Sequence, residues 1–223
     1  IVNCTITNCA HGGVTLGAGQ LLQGVTITNS IISHNGGTGV HVEGGLGGIT
    51  NSIIYHNGGS GISVSGGTVE IEECNVTFNG VGISREHGSS QLYVHNCNIW
   101  NNSLLMANYH ADDVNATYNW WGTTNETLIE ELIYDYHDNY EKGRILYKPY
   151  LTKPTEIGLG RALYIGEVSR EPDLPYPDQQ VTVRANIWAC LIPHEAVLSY
   201  RTSDLEWHNV TMSRFYDTFT GII

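Results

Sequence analysis

The sequence predicts an all-β chain in three parts: a parallel β-solenoid of about five coils over residues 1–105, a cap containing a short α-helix over 106–153, and a partial β-sandwich over 154–223. Three observations predict it. One motif recurs at offsets of about one solenoid turn, its apolar residues fall into columns, and glycine becomes scarce after Lys153-Pro154.

The repeat is plainest where Ile27-Thr28-Asn29-Ser30-Ile31-Ile32 returns as Ile49-Thr50-Asn51-Ser52-Ile53-Ile54. Weaker copies begin at Ile1, Ile71 and Val94, so successive starts are 26, 22, 22 and 23 residues apart. Those spacings are too short for a helix-pair repeat and suit one turn of a β-solenoid. Stacking the copies aligns Ile1, Ile27, Ile49, Ile71 and Val94; then Cys4, Ser30, Ser52, Cys74 and Cys97; then Ile6, Ile32, Ile54, Val76 and Ile99; then Val14, Val40, Ile62 and Ile83. Apolar residues alternate over two or three positions and change phase at Asn or at glycine pairs such as Gly36-Gly37 and Gly58-Gly59, as short strands joined by bends require.

The pattern I/V-x-N-x-x-I followed by N-G-x-x-G-I/V-x-V resembles the right-handed parallel β-helix repeat of secreted carbohydrate-related and surface proteins. Its handedness is implied by that resemblance and by the general rule for parallel crossovers. The resemblance extends to Asn119-Trp120-Trp121-Gly122 and to residues 143–151, which are similar to the closing segment of such proteins. Between them, Thr123-x-x-Glu126 reads as a capping box, and Leu128, Ile129, Leu132, Ile133 and Tyr136 have helical spacing. That places a short amphipathic helix at about 124–137, over the open end of the solenoid. Ten of the 18 Trp and Tyr residues lie between Trp100 and Tyr150, which suits a plug over an apolar bore.

Beyond residue 153, Pro172, Pro175 and Pro177 punctuate a linker-like turn. Strand alternation follows in Gln180–Ala189, Glu195–Arg201, Glu206–Ser213 and Thr218–Ile223, with Ala162–Val168 as a first strand. This part resembles an immunoglobulin-like or fibronectin-like sandwich, which needs about seven strands. Five are found, and the chain opens at Ile1 inside a hydrophobic pattern, so the sequence is expected to be a fragment of a larger protein that lacks the closing strands, or a partner is expected to supply them.

A formal net charge of −12, from 10 basic and 22 acidic residues, argues against nucleic acid as a partner. No apolar run approaches the ~20 residues that span a bilayer. Six Asn-x-Ser/Thr sequons occur, at Asn3, Asn75, Asn101, Asn115, Asn125 and Asn209, where composition alone gives about three. Either these accept N-linked glycans on a secreted or surface protein, or Asn and Thr simply serve the bends. Asn75 is the better acceptor within the coils, because alternation points its side chain outward.

The cysteines, Cys4, Cys9, Cys74, Cys97 and Cys190, lack zinc spacing. Cys74 and Cys97 share a column at a distance that permits a disulfide, but stacked positions aim their Cβ atoms alike, which favours a buried thiol ladder. His34 and His56 also share a column, with Asn8, Phe78 and Asn101 but no carboxylate to complete a metal site. In the coils, Glu70 and Glu72 form the one acid pair that could serve general acid–base chemistry, with Tyr93 and His95 expected beside them on the next coil. The bland reading is a solvated acidic strand face. Asp112-Asp113 and Asp135-Tyr136-His137-Asp138 offer oxygen ligands for calcium or, equally, caps for local turns. Trp100, Trp120, Trp121 and Tyr150 form either a sugar-stacking platform or the core of the cap.

The favoured function is a non-catalytic extracellular structural protein: a surface-layer, adhesive or filament component, self-associating or bound to other envelope proteins, with no cofactor or metal. The combination resembles archaeal envelope proteins. The alternative is a carbohydrate-active enzyme, a polysaccharide lyase or glycoside hydrolase, or a carbohydrate-binding protein, with polysaccharide as partner and Glu70, Glu72 and His95 as its residues.

Overall fold

A computed structural model describes residues 1–17, 24–86, 88, 90–157, 164–173, 176, 179–188, 196–201, 207–215 and 218–222. The chain divides into two compact units, Ile1–Gly160 and Arg161–Ile223.

The first unit is a parallel β-solenoid. Its strands are β1 (Thr5–Thr7), β2 (Val14–Leu16), β3 (Val25–Thr28), β4 (Ile31–Ser33), β5 (Val40–Val42), β6 (Leu46–Thr50), β7 (Ile53–Tyr55), β8 (Ser60–Val64), β9 (Gly67–Glu72), β10 (Asn75–Thr77), β11 (Val81–Arg85), β12 (Ser90–His95), β13 (Asn98–Trp100), β14 (Leu104–Asn108) and β15 (Val114–Asn115). The cap adds α1 (Glu126–Glu131), β16 (Ile133–Tyr134) and β17 (Ile145–Leu146). Three parallel sheets result, ordered β1-β4-β7-β10-β13, β2-β5-β8-β11-β14-β16 and β3-β6-β9-β12-β15-β17.

The expected columns are the observed register. Ile27 pairs with Ile49, Ile49 with Ile71 and Ile71 with Val94. Ile6, Ile32, Ile54, Val76 and Ile99 stack in the first sheet. Val14, Val40, Ile62 and Ile83 stack in the second, continued by Met106 and Ile133. From the second coil onward these side chains are almost wholly buried and form one continuous apolar core.

The bends follow one rule. Asn29, Asn51, Glu73, Asn96 and Tyr118 occupy the left-handed region, with φ between 48° and 60°, at the first bend; His34, His56, Phe78 and Asn101 do so at the second, with φ between 51° and 56°. One left-handed residue turns the chain from one sheet to the next, and Asn tolerates that conformation best among residues with a side chain. The residue after each second bend is a buried asparagine: Asn35, Asn57, Asn79 and Asn102. Each Oδ1 accepts a backbone N–H from the coil before: Cys9 N to Asn35, Asn35 N to Asn57, Asn57 N to Asn79 and Asn79 N to Asn102, at 2.9–3.2 Å. The ladder thus supplies acceptors to bends that the sheets leave unpaired. It also explains the glycines four residues on, Gly39 and Gly61. A Cβ on Gly39 would lie 2.6 Å from the Gly61 carbonyl oxygen and 2.7 Å from Asn57 Nδ2.

The cap differs from the expected helix. α1 spans only Glu126–Glu131, and its N-cap is Asn125, whose side chain accepts from Thr127 N; Thr123 Oγ1 accepts instead from Asn125 N. The capping box is therefore not formed. Ile133 and Tyr134 leave the helical path because pairing with Met106 and Ala107 extends the second sheet, and Leu128 and Tyr136 remain exposed. Trp121, Ile129, Ile133 and Ile145 close the bore.

The second unit is one curled antiparallel sheet of β18 (Tyr164–Glu171), β19 (Thr182–Trp188), β20 (Ala196–Arg201), β21 (Trp207–Phe215) and β22 (Thr218–Ile222), ordered β18-β19-β22-β21-β20. Five strands were expected, and the described residues form five, in one curled sheet. Val181, Val183 and Ala185 alternate buried with exposed Arg184, as the sequence pattern requires. Pro175, Pro177, Ala162, Ala189, Cys190, Glu195, Glu206 and Ile223 lie outside the described residues.

Candidate functional site

The acid pair lies on the outer face of the third sheet. Val69 and Ile71 point into the bore, so Glu70 is exposed and Glu72 half-buried on the other side of β9. The register sets Tyr93 beside Glu70 and His95 beside Glu72, as expected. The column through Glu70 reads Gly48, Glu70, Tyr93, Asn115 and Leu146.

The polar partners draw this group apart rather than together. Glu72 Oε1 accepts from Asn96 Nδ2 at 3.3 Å. His95 Nδ1 faces the Thr117 carbonyl oxygen at 3.1 Å and Thr117 Oγ1 at 3.4 Å, on the coil beyond. The result is a flat strand face with carboxylates, a half-exposed tyrosine ring and hydroxyls. It presents hydrogen-bond acceptors and an aromatic surface to solvent. Among the described residues no group of three or more His, Cys, Asp and Glu side chains is placed to hold a metal ion.

His34 and His56 do stack, with ring centroids 5.1 Å apart, and Phe78 and Trp100 extend the column at 4.8 and 5.9 Å. The row runs along the second bend. Trp121 is buried at 2% exposure and belongs to the cap core, whereas Trp100, Trp120 and Tyr150 are half-buried. The aromatics therefore form no common platform.

A cleft of about 260 Å³ opens in the cap, lined by Glu130, Asp135, His137, Arg144, Tyr147 and Lys148 among others. Its polar groups are largely committed. Tyr147 donates its hydroxyl to Glu130 Oε1 at 2.8 Å, and burial together with that bond pushes its pKa up to about 12. Lys148 Nζ meets Glu126 Oε2 at 2.7 Å; this bond lowers the Glu126 pKa and raises that of Lys148. Asp135 Oδ1 accepts from His137 N and its Oδ2 from Ile145 N, while Asp138 Oδ2 accepts from Asp135 N. Asp113 Oδ1 accepts from Arg144 N. Asp135 and Asp138 thus cap a local turn, whereas Asp113 bonds a backbone N–H 31 residues further on and Asp112 faces Arg85 and His110.

Sequence reasoning missed two buried polar systems. The asparagine ladder had a signal, since Asn35, Asn57, Asn79 and Asn102 recur at the repeat spacing. Arg85 is 2% exposed, and its guanidinium donates to the Asp112 and Asp113 carbonyl oxygens and to the Ser90 hydroxyl and carbonyl. Burial lowers its pKa, and the Asp112 charge partly offsets this. It ties the end of β11 to the start of β12 and to the Asp112-Asp113 segment before β15.

The cysteines Cys4, Cys9, Cys74 and Cys97 are free thiols. Cys97 Sγ accepts from Cys74 N at 3.4 Å, continuing the ladder that Ser52 Oγ makes with Ser30 N. Burial and its Cys74 neighbour raise the Cys97 pKa.

Five sequon asparagines, Asn3, Asn101, Asn115, Asn125 and Asn209, are exposed. Asn75 corrects the expectation: it lies outside the bore but is 2% exposed. Residues 154–157 return over that face, where Thr155 N donates to Asn98 Oδ1 and Asn98 Nδ2 donates to both the Thr155 carbonyl oxygen and Asn75 Oδ1, each at 2.8 Å.

A family model described as a right-handed β-helix region matches residues 17–130, just over half of the chain. No curated protein and no solved structure matches it.

Proposed function

We propose that this chain, which belongs to the right-handed β-helix family, is a non-catalytic structural module of an extracellular surface-layer, adhesive or filament protein. The solenoid is its stiff rod, the antiparallel sheet is part of an immunoglobulin-like linker or docking module, and N-linked glycans decorate it. Its partners are copies of itself or other envelope proteins, and an archaeal envelope fits its acidity and sequons. The observation that carries this reading is that four of the five sequons of the first unit, at Asn3, Asn101, Asn115 and Asn125, present exposed asparagines on a solenoid whose bends are locked by a buried side-chain ladder.

The test is the intact mass and peptide map of the native polypeptide before and after removal of sugars, with electron microscopy of the purified protein. Occupied sequons and regular sheets or fibres support the reading. A protein without sugar that stays monomeric overturns it. A carbohydrate-binding or carbohydrate-active surface is the second reading, favoured by the exposed Glu70 and Tyr93 column. Loss of polysaccharide turnover or binding in Glu70→Gln and Glu72→Gln would establish it in place of the first.

A further inference from the structure

Most of the sequon asparagines have a structural reason to be asparagine. Asn3 and Asn101 sit at left-handed bends, both with φ 52°; Asn125 is the N-cap of α1, and Asn75 is buried against Asn98. Asn115 and Asn209 lie exposed on strands, where asparagine is otherwise disfavoured, and Asn115 makes an Asx turn with the same bond two residues on that Asn125 uses as a cap. Asn209 Oδ1 accepts from Ser199 Oγ at 2.7 Å on the neighbouring strand. Among the described residues the Asn115 side chain bonds only within its own sequon: its Oδ1 accepts from Thr117 N at 3.2 Å and from Thr117 Oγ1 at 3.0 Å. The carbonyl end of the amide is held, and among the described residues Nδ2 has no partner.

Its column neighbours are apolar and exposed. Tyr93 on one side is 40% exposed and Leu146 on the other 44%, each one strand spacing of about 4.8 Å away and on the same face. Phe78, the aromatic neighbour of Asn101, is stacked on His56 at 4.8 Å, whereas no ring in the described residues stacks on Tyr93.

We infer that Asn115 is a glycan site whose first sugar packs on the Tyr93 ring. This rests on the reading of the chain as a glycoprotein. The donor class is a lipid-phosphate-linked sugar. Its anomeric C1–O bond to phosphate breaks, a C1–Nδ2 bond forms, the amide loses one proton, and the lipid phosphate leaves. A sugar ring held there lays its C–H face on the tyrosine, covering apolar surface that otherwise meets water. The next sugar along the column reaches Glu70, two strand spacings from Asn115, so the glycan covers the face that carries the acid pair.

The test compares the full chain from a glycosylating host with the same chain from a non-glycosylating one. Peptide mapping reads occupancy, and hydroxyl-radical footprinting reads the reactivity of Tyr93, with Tyr140, 82% exposed, as internal reference. The expected result is an occupied Asn115 and Tyr93 oxidation at least about twofold lower in the glycosylated chain, Tyr140 unchanged. Occupancy without protection overturns the packing. Sugar elsewhere but none on Asn115 overturns the site and leaves the glycoprotein reading intact. Sugar nowhere removes both.

Discussion

Replacing Asn57 with alanine tests whether the asparagine ladder, more than the turn propensity of Asn-Gly, holds the coils in register. Asn57 is 3% exposed. Its Oδ1 accepts from Asn35 N at 3.2 Å and from Asn35 Nδ2 at 2.9 Å. Its Nδ2 lies 3.3 Å from the Ile32 carbonyl oxygen, 3.2 Å from that of Tyr55 and 3.0 Å from Asn79 Oδ1. The acceptors keep other donors, since Asn57 N still reaches Asn79 Oδ1 and His34 N still reaches the Tyr55 oxygen. The two Asn35 donors lose their acceptor in a buried place. At about 1–3 kcal/mol for each orphaned group, the loss is about 2–6 kcal/mol. Guanidinium denaturation followed by far-ultraviolet circular dichroism measures it, with Gln91→Ala, exposed on β12, expected within about 0.5 kcal/mol of wild type. Asn57→Asp goes further, because it sets an oxygen against three acceptors. Its buried carboxyl has a raised pKa, so the penalty is least in acid and grows as pH rises through the unfolded carboxyl range. A loss below about 1 kcal/mol for Asn57→Ala, or one no larger than that of Gln91→Ala, would refute the ladder as the source of register.

Three further outcomes follow from the same geometry. Gly39→Ala, whose Cβ would meet the Gly61 oxygen at 2.6 Å, lowers stability by about 1–3 kcal/mol, whereas Gly47→Ala, with 3.5 Å to its nearest atom, changes it little; denaturation midpoints decide. A thiol reagent on the native protein labels exposed Cys4 but reaches buried Cys74 and Cys97 only on unfolding, and rapid native labelling of Cys97 would count against the thiol ladder. Tyr147 has its pKa raised from 10.0 to about 12, so the unfolded chain releases this proton first and stability falls as pH rises between those values. Tyr147→Phe flattens that fall in denaturation curves taken from pH 9 to 12.

The bore was legible because its residues repeat in kind as well as in spacing. Ile27, Ile49 and Ile71 announce a column by themselves, and parallel in-register pairing leaves no other way to stack them. Asn57-Gly58 was read as punctuation because Asn-Gly is a turn signal in any context. What alternation cannot tell is what packs on the outside. It places Asn75 outward, but the chain that covers it arrives about eighty residues later, at Thr155. The helix was overdrawn for a related reason. Ile133 suits either an apolar helical face or the column begun by Val14, and extending a sheet satisfies its backbone as well as its side chain.

Repetition of identity also separates what the fold demands from what it leaves free. The ladder position is asparagine in four successive coils, and the columns through Ile27, Ile32 and Val40 stay aliphatic as far as Val94, Ile99 and Ile83, because each copy meets the same neighbours. The outward column of the third sheet obeys no such rule: Gly48, Glu70, Tyr93, Asn115 and Leu146 share neither size, charge nor polarity. A parallel sheet tolerates any of them on an exposed face, so stacking does not explain the choice. Surface positions released from the repeat are where recognition is written on a solenoid. On this chain they bring a sequon asparagine, an exposed ring and a carboxylate into one line, whereas in the cap cleft Tyr147 already holds Glu130 and the Asp135 carboxylate holds two backbone N–H groups.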